Sequence, residues 1–352
     1  MVWPRPISDA IPAILARRGE PVAVLASGDP FCYGIGSLLA RAVPMAEILC
    51  IPARSAFSLA AARLGWALQD CATISFCGRP LAALAPLLQP GSRVLALSAD
   101  AATPASLAGY LRERGFGPSR LHVLEALGGP RERIRSATAD TFSIVDVHAL
   151  NLVAIELSPG PGARVIPLST GLDDEAFEHD GQITKREIRA VTLAVLAPRR
   201  GEMLWDIGCG SGSVAIEWML RSPANQAVAV ERQPERAARS ARNAVALGVP
   251  DLRVLVGSAP EALAGLPEPD AVFVGGGAQE AAVLEAAWAA LRGGGRMVAN
   301  AVTIETEAAL FAACKRLGGT LTRLSVERLE ALGARRGFRP ARTVTQWSAT
   351  KP

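Results

Sequence analysis

Apolar residues along the chain fall into two blocks in which short continuous runs alternate with amphipathic stretches, the signature of strands and helices assembled as α/β units around parallel sheets. In the first block, residues 21–26 read as a buried strand, 34–42 as a helix, 47–51 as a strand and 55–64 as a helix, and 93–98, 121–125 and 152–157 add further strands. The run from Ser158 to Ala163 then alternates proline and glycine, which sustains neither helix nor strand ladder. It predicts a boundary between a domain of residues 1–160 and one of 161–352.

The second block opens on a polar segment, 173–180, followed by a helix over 183–196 whose apolar positions 188, 191, 195 and 196 form one face. Thr184 and Glu187 have the T-x-x-E spacing of a capping box at its start. Strands are predicted at 203–207, 227–231, 252–256, 271–274 and 296–302, with helices between them. Two segments of alternating β-branched and polar residues, 320–326 and 342–349, predict an edge hairpin with Gly333 to Gly337 in its loop. That makes seven strands, and no short-period repeat interrupts them.

The densest chemical signal is Asp206-Ile207-Gly208-Cys209-Gly210-Ser211-Gly212, where an apolar strand breaks into three glycines before a helix, and the next strand ends in Glu231. Glycines permit a sharp turn and close approach of a ligand to the backbone, and an acid at the end of the second strand suits the hydroxyls of a ribose. The loop has neither the lysine of a phosphate-binding loop nor the G-x-G-x-x-G of a dinucleotide fold. It resembles the first motif of class I S-adenosylmethionine-dependent methyltransferases. A ligand-free glycine turn is the plainer alternative.

Composition narrows the partners. A chain of 352 residues, half hydrophobic, suits two filled cores. Its 37 basic and 33 acidic residues are spread along the sequence, whereas nucleic-acid binders gather charge on one surface, so no nucleic acid is expected. Six cysteines without C-x-x-C pairing and three histidines distant from them in sequence predict no metal site. Charged residues, glycine or proline break every apolar run, so the expectation is a reduced, cytoplasmic protein without a membrane segment. Positive charge is almost all arginine, whose planar fork takes carboxylates bidentately.

Further markers narrow the resemblance. D-G-Q-I-T-K-R-E-I-R at 180–189, G-S-A-P-E-A-L at 257–263, V-F-V-G-G-G at 272–277 and V-A-N-A-V-T-I-E-T at 298–306 resemble the C-terminal half of the precorrin-6Y C5,15-methyltransferase (decarboxylating) family of cobalamin biosynthesis. S-G-D-P-F-C-Y-G-I-G at 27–36, P-A-R-S-A-F-S-L-A-A-A-R-L-G-W at 52–66 and L-E-A-L-G-G-P-R-E-R-I-R at 124–135 resemble its N-terminal, tetrapyrrole-methylase half. The resemblance implies an α/β chain in which a tetrapyrrole-methylase-like domain precedes a Rossmann-like, seven-stranded methyltransferase domain. Relative to that family, Met1 lies past the opening strand and its glycine-rich turn, which implies either a start codon set too late, the favoured reading, or a compromised first domain.

The resemblance also implies roles for single residues. Gly208, Cys209, Gly210, Ser211 and Gly212 would contact the methionine end of S-adenosylmethionine, Glu231 its ribose, and Ser258 and Ala259 its adenine. Thr184 would face the cofactor or simply cap its helix. Gly275, opening a three-glycine run, would leave room for a flat ring or form a plain turn. Ser27, Gly28, Asp29 and Pro30 would line a second cofactor cleft or make an ordinary turn. Asn300, Thr303 and Glu305 are candidate catalytic polar groups, and Arg335, Arg336 and Arg339 are substrate carboxylate anchors or a solvated loop.

The implied reaction is methylation of precorrin-6Y at C5 and C15 with loss of the C12 acetate carboxyl, giving precorrin-8. The first domain would own the C5 step and the second the C15 step with decarboxylation. Two alternatives stand: a methyltransferase of the same fold acting on RNA or a small molecule, and a non-catalytic tetrapyrrole or cofactor sensor. Association into a homo-oligomer is left open by the sequence.

Overall fold

The computed structural model describes residues 3, 4 and 6–352, and the chain divides into two compact units. The first is residues 1–81 with Leu87–Arg164, and the second is Ala82–Pro86 with Val165–Pro352. Among the described residues no helix is long and apolar enough to cross a membrane.

The first unit contains helices α1 (Ala10–Leu15), α2 (Gly36–Ala42) and α3 (Ala56–Leu64), then strands β1 (Cys71–Ser75) and β2 (Arg93–Leu97), helix α4 (Thr103–Glu113), and strands β3 (Arg120–Glu125), β4 (Arg133–Thr138) and β5 (Asn151–Glu156). Its five-stranded sheet has the order β1-β2-β5-β3-β4, and only the β1–β2 pair is parallel. The expected all-parallel sheet is therefore corrected here. The apolar central strand β5 pairs antiparallel with both of its neighbours, and β4, whose charged R-I-R start hides its strand character in the sequence, closes one edge.

Residues 21–26 and 47–51 are also corrected, since neither is a strand. Leu25, Leu49 and Ile51 are 86, 88 and 80% exposed. An apolar run becomes a strand only where a neighbouring chain satisfies its backbone, and among the described residues neither run has a ladder partner.

The second unit runs through α5 (Arg186–Leu196), β6 (Met203–Ile207), α6 (Ser213–Leu220), β7 (Gln226–Glu231), α7 (Pro234–Ala246), β8 (Arg253–Val256), β9 (Ala271–Val274), α8 (Ala281–Ala290), β10 (Arg296–Ala301) and α9 (Ile304–Leu317). It ends in β11 (Thr320–Leu324), β12 (Glu327–Leu332), β13 (Arg335–Pro340) and β14 (Val344–Thr350). The seven predicted strands form one sheet of order β11-β14-β10-β9-β6-β7-β8, parallel from β8 to β10, with β14 inserted antiparallel between β10 and β11.

Strands β6, β7 and β9 are buried almost throughout, as parallel strands covered on both faces must be. Gly333 to Gly337 is not simply a loop: Gly337 lies in β13, which pairs with β12 as a separate two-stranded ribbon. The buried face of α5 is Ile188, Arg189, Thr192, Leu193 and Leu196, while the predicted face residues Val191 and Val195 are exposed. The helix is rotated from the apolar-only reading because a buried charge, Arg189, belongs to its inner side.

Candidate active site

A cavity of about 660 Å³ opens at the C-terminal ends of the parallel strands of the second unit. It extends from Ser258 beyond β8, past Gly208, Gly275 and Asn300, to Val344 at the start of β14. Five strand spacings of ~4.8 Å separate β8 from β14, so the cavity crosses roughly 24 Å of sheet. The chain order reverses between β6 and β9, the place where open α/β sheets bind ligands.

The glycine turn forms the cavity floor. Gly208, Gly210 and Gly212 have φ of 72°, 57° and 75°, a region costly for residues with a Cβ. A Cβ on Gly208 would sit 2.7 Å from the backbone nitrogen of Gly276, and one on Gly212 would meet Ser240 Oγ at 2.1 Å. The first glycine lets two loops touch, and the third lets α7 pack against the turn. Gly208, Cys209 and Gly210 line the cavity, whereas Ser211 and Gly212 lie outside its lining. Ser211 is buried, and its carbonyl accepts a hydrogen bond from Asn243 Nδ2 at 2.9 Å.

Two carboxylates sit beside this floor. Glu231 is 5% exposed and lines the cavity, accepting the Gly210 N–H on Oε2 and the Gln233 N–H on Oε1, each at 3.0 Å. Every carboxylate oxygen has a second lone pair, so both can still accept from a ligand hydroxyl. Asp206 is fully buried; its Oδ2 accepts the Ala215 N–H at 3.0 Å, while Oδ1 has no partner. Burial pushes the Asp206 carboxyl up to about 7, opposed by the Ala215 N–H and reinforced by the negative charge of Glu231. Burial likewise raises the Cys209 thiol, which leaves it a poor nucleophile.

The raised Asp206 carboxyl sets a pH dependence. Between its ordinary value near 3.8 and about 7 the unfolded chain has released this proton and the folded chain retains it, so the group's contribution to stability falls as pH rises. The slope is at most about 1.4 kcal/mol per pH unit. Thermal melts of ligand-free protein across this window should show the wild type losing stability relative to Asp206→Asn. A constant difference between the two would remove the assignment.

Of the other predicted residues, Thr184, Ser258, Ala259, Gly275 and Asn300 line the cavity. Thr184 does not cap α5, whose N-cap is Lys185 with no side-chain cap bond. The capping box fails because α5 begins at Arg186, which makes Lys185 the N-cap and puts Glu187 at the second helical position instead of the third; Glu187 pairs with Arg328. Asn300 Nδ2 donates to Thr192 Oγ1 at 3.1 Å, and its Oδ1 accepts from Gln346 Nε2 at 2.9 Å, so β10, α5 and β14 are tied together at the cavity wall.

Thr303 and Glu305 are not brought to the cavity. Thr303 is the N-cap of α9, accepting the Thr306 N–H at 3.3 Å, and Glu305 stands exposed in that helix's first turn. Arg335, Arg336 and Arg339 lie on β13 outside the lining, Arg339 pairing with Glu330 at 3.2 Å. The basic residues that do line the cavity are Lys185, Arg232, Arg236, Arg328 and Arg342. Of these only Arg328 lies on the β12–β13 ribbon, which went unrecognised in the sequence.

The front wall, Gln182 to Thr184, hangs from a buried ion pair. Arg189 Nε donates to Glu217 Oε1 at 2.6 Å with both side chains fully buried, and Arg189 also reaches the carbonyls of Leu172 and Thr184 and Asp174 Oδ1 at 3.1 Å. Glu217, the only charge in the otherwise uncharged helix α6, accepts the N–H groups of Gly171 at 2.6 Å and Leu172 at 3.0 Å. Nothing in the local sequence announces this arrangement.

In the first unit, Ser27 to Pro30 form a tight turn. Gly28 has φ 66°, and Asp29 Oδ1 accepts the Phe31 N–H at 2.9 Å, which commits one of its oxygens to its own loop. The Pro30 carbonyl accepts the Gly36 N–H at 2.8 Å, and a Cβ on Gly34 or Gly36 would lie within 2.7 Å of that oxygen.

Comparisons with known proteins agree across both units. Residues 4–143 match the family model of tetrapyrrole (corrin/porphyrin) methylases, and residues 175–351 match that of a precorrin methyltransferase domain. A precorrin-6Y C(5,15)-methyltransferase [decarboxylating] of Sinorhizobium sp is 56% identical over 349 residues, covering 99% of this chain and 84% of that one. The enzyme of the same name from Mycobacterium tuberculosis (strain CDC 1551 / Oshkosh) is 44% identical over 354 residues, covering 99% and 87%. The crystal structure of the C-terminal domain of precorrin-6Y C5,15-methyltransferase from Rhodobacter capsulatus matches with a TM-score of 0.50 and 45% identity, over 53% of this chain and 100% of that one. Two family models matched in order, and relatives this similar along nearly the whole chain, mean that this chain belongs to the precorrin-6Y C5,15-methyltransferase (decarboxylating) family.

Proposed function

We propose that this chain methylates precorrin-6Y at C5 and C15 with S-adenosylmethionine and removes the C12 acetate carboxyl, with the C15 step and decarboxylation in the cavity of the second unit and the C5 step in the first. The observation that carries the second-unit assignment is the junction of the glycine floor with Glu231, whose carboxylate lines the same cavity. A ribose fits this junction, because both oxygens of the Glu231 carboxylate retain lone pairs for its hydroxyls.

S-adenosylmethionine, when bound, supplies a methyl group already activated by its sulfonium. The protein's part is placement. The bare Cα atoms of Gly208 and Gly210, whose N–H groups donate to the Val230 carbonyl and to Glu231, would admit the ligand's amino-acid end against the backbone, Glu231 would fix its ribose, and Ser258 and Ala259 would border its adenine. The remaining stretch, over β10 and β14, would hold the macrocycle beside the methyl group. Orientation and exclusion of water can supply on the order of 7–11 kcal/mol, so no nucleophilic side chain is required.

In the decarboxylation the electrons of the breaking C–C bond pass into the conjugated ring, and a proton replaces the lost carbon dioxide. Asn300 lines this side of the cavity and, after its bonds to Thr192 and Gln346, keeps one N–H and one lone pair to orient the acetate arm. It is the one group carried forward from the three strand-end candidates.

The test is methyl transfer from isotopically labelled S-adenosylmethionine to precorrin-6Y, with the product's mass reporting added methyl groups and lost carbon dioxide. Glu231→Gln should weaken S-adenosylmethionine binding about ten- to a hundred-fold by calorimetry, as expected for losing charge-assisted hydrogen bonds. Unchanged affinity, or label appearing in RNA and not in the tetrapyrrole, would favour another methyltransferase reading.

A further inference from the structure

The β14 side of the cavity carries two arginines in contrasting states. Arg328, on β12, is ion-paired with Glu187 of α5, a partner 141 residues distant in sequence, and both residues line the cavity. Arg342, just before β14, lines it too, and among the described residues it has no hydrogen-bond or ion-pair partner. The Ala341 N–H donates to the Val326 carbonyl at 2.8 Å, which ties together the chain segments from which the two arginines project.

The Arg328–Glu187 pair is half-exposed, at 43 and 44%. Such pairs add little to stability, and a second carboxylate can exchange into them at small cost. Its geometry nonetheless establishes that a carboxylate at the cavity rim falls within reach of Arg328. Precorrins carry acetate and propionate arms, each a match for the guanidinium fork.

We propose that Arg328 and Arg342 form a clamp for substrate carboxylates, and that Glu187 is an internal stand-in which occupies Arg328 until a substrate arm displaces it. The inference rests on reading this cavity as the precorrin site. It deepens that reading by giving the site a selection rule. A ring without carboxylates cannot repay release of Glu187, whereas a carboxylated one replaces the lost pair and engages Arg342 as well. Once displaced, Glu187 stands as a like charge beside the incoming arm, so it opposes binding.

The full-length chain provides the test, through kinetics of label transfer to C15 of precorrin-6Y and equilibrium binding of uroporphyrin, a stable, carboxylate-rich tetrapyrrole. Arg342→Ala should raise KM and the uroporphyrin Kd about ten-fold, as for loss of a charge-assisted hydrogen bond. Glu187→Gln should lower both by about three-fold, as for removal of a partly screened like charge. Calorimetric affinity for S-adenosylmethionine, measured on the same variants, should follow neither trend. A Glu187→Gln variant with raised KM, or an Arg342→Ala variant with wild-type KM and Kd, overturns the clamp. Wild-type protein that transfers no methyl group yet keeps the predicted order of uroporphyrin affinities supports the clamp and sinks the reaction; transfer without that order does the reverse.

Discussion

Glu217→Ala should destabilise the second unit by about 3–5 kcal/mol, the usual cost of stripping one partner from a buried ion pair. Arg189 would be left fully buried and charged with only Asp174 as a counter-ion, and the N–H groups of Gly171 and Leu172 would lose their acceptor. For a unit of this size that loss corresponds to a fall in Tm of roughly 10 °C or more. The damage should reach the ligand site, because Arg189 holds the Thr184 carbonyl and so the cavity's front wall. Denaturant unfolding followed by tryptophan fluorescence measures the first effect; Trp218 lies in the same helix as Glu217 and is fully buried. A loss under about 1 kcal/mol would mean that solvent reaches the pair and would overturn its role as a buried anchor.

Gly208→Ala should nearly abolish S-adenosylmethionine binding, by at least about a hundred-fold, and cost roughly 2–4 kcal/mol in stability. Two independent penalties add. The φ of 72° disfavours any residue with a Cβ, and the new carbon would lie 2.7 Å from the Gly276 nitrogen and 2.8 Å from its Cα, both backbone atoms that cannot swing aside as a side chain could. Relief requires the turn after β6 and the turn after β9 to separate, which moves both walls of the cofactor end. Gly210→Ala provides the contrast: its Cβ would meet only the Gln182 carbonyl at 3.2 Å, so the backbone strain remains without the collision between loops. Calorimetric titration of both variants should rank Gly208→Ala as the more damaging; equal losses would attribute the effect to φ alone.

What was readable in the sequence was whatever local chemistry dictates. Gly208, Gly210 and Gly212 announced a turn because glycine adopts their left-handed backbone without the strain a Cβ brings, and Glu231 announced itself by ending a buried run with a charge. The seven-stranded sheet followed from periodicity alone. What stayed hidden depends on residues distant in sequence. Arg189 reads as a surface residue of an amphipathic helix until Glu217, 28 positions later, supplies its counter-charge and turns it inward. The capping-box reading of Thr184 failed because the helix starts one residue later, at Arg186. Arginines 335, 336 and 339 looked like anchors because they are clustered, yet they lie on β13 outside the lining that contains Arg328 and Arg342. Residues 21–26 and 47–51 have strand composition without a strand neighbour, and composition cannot reveal whether one is present.

The position of β14 inside the sheet, between β10 and β11, carries a consequence for biogenesis. Chains fold vectorially as they leave the ribosome. Strands β6 to β9 can therefore pair as they emerge, and the glycine-floored half of the crevice forms while translation continues. The β10 flank cannot close until residues 344–350 have been synthesised, because β11 emerges earlier yet has no ladder of its own with β10. A nascent chain halted before Val344 would thus expose an open sheet edge, a natural docking point for a chaperone.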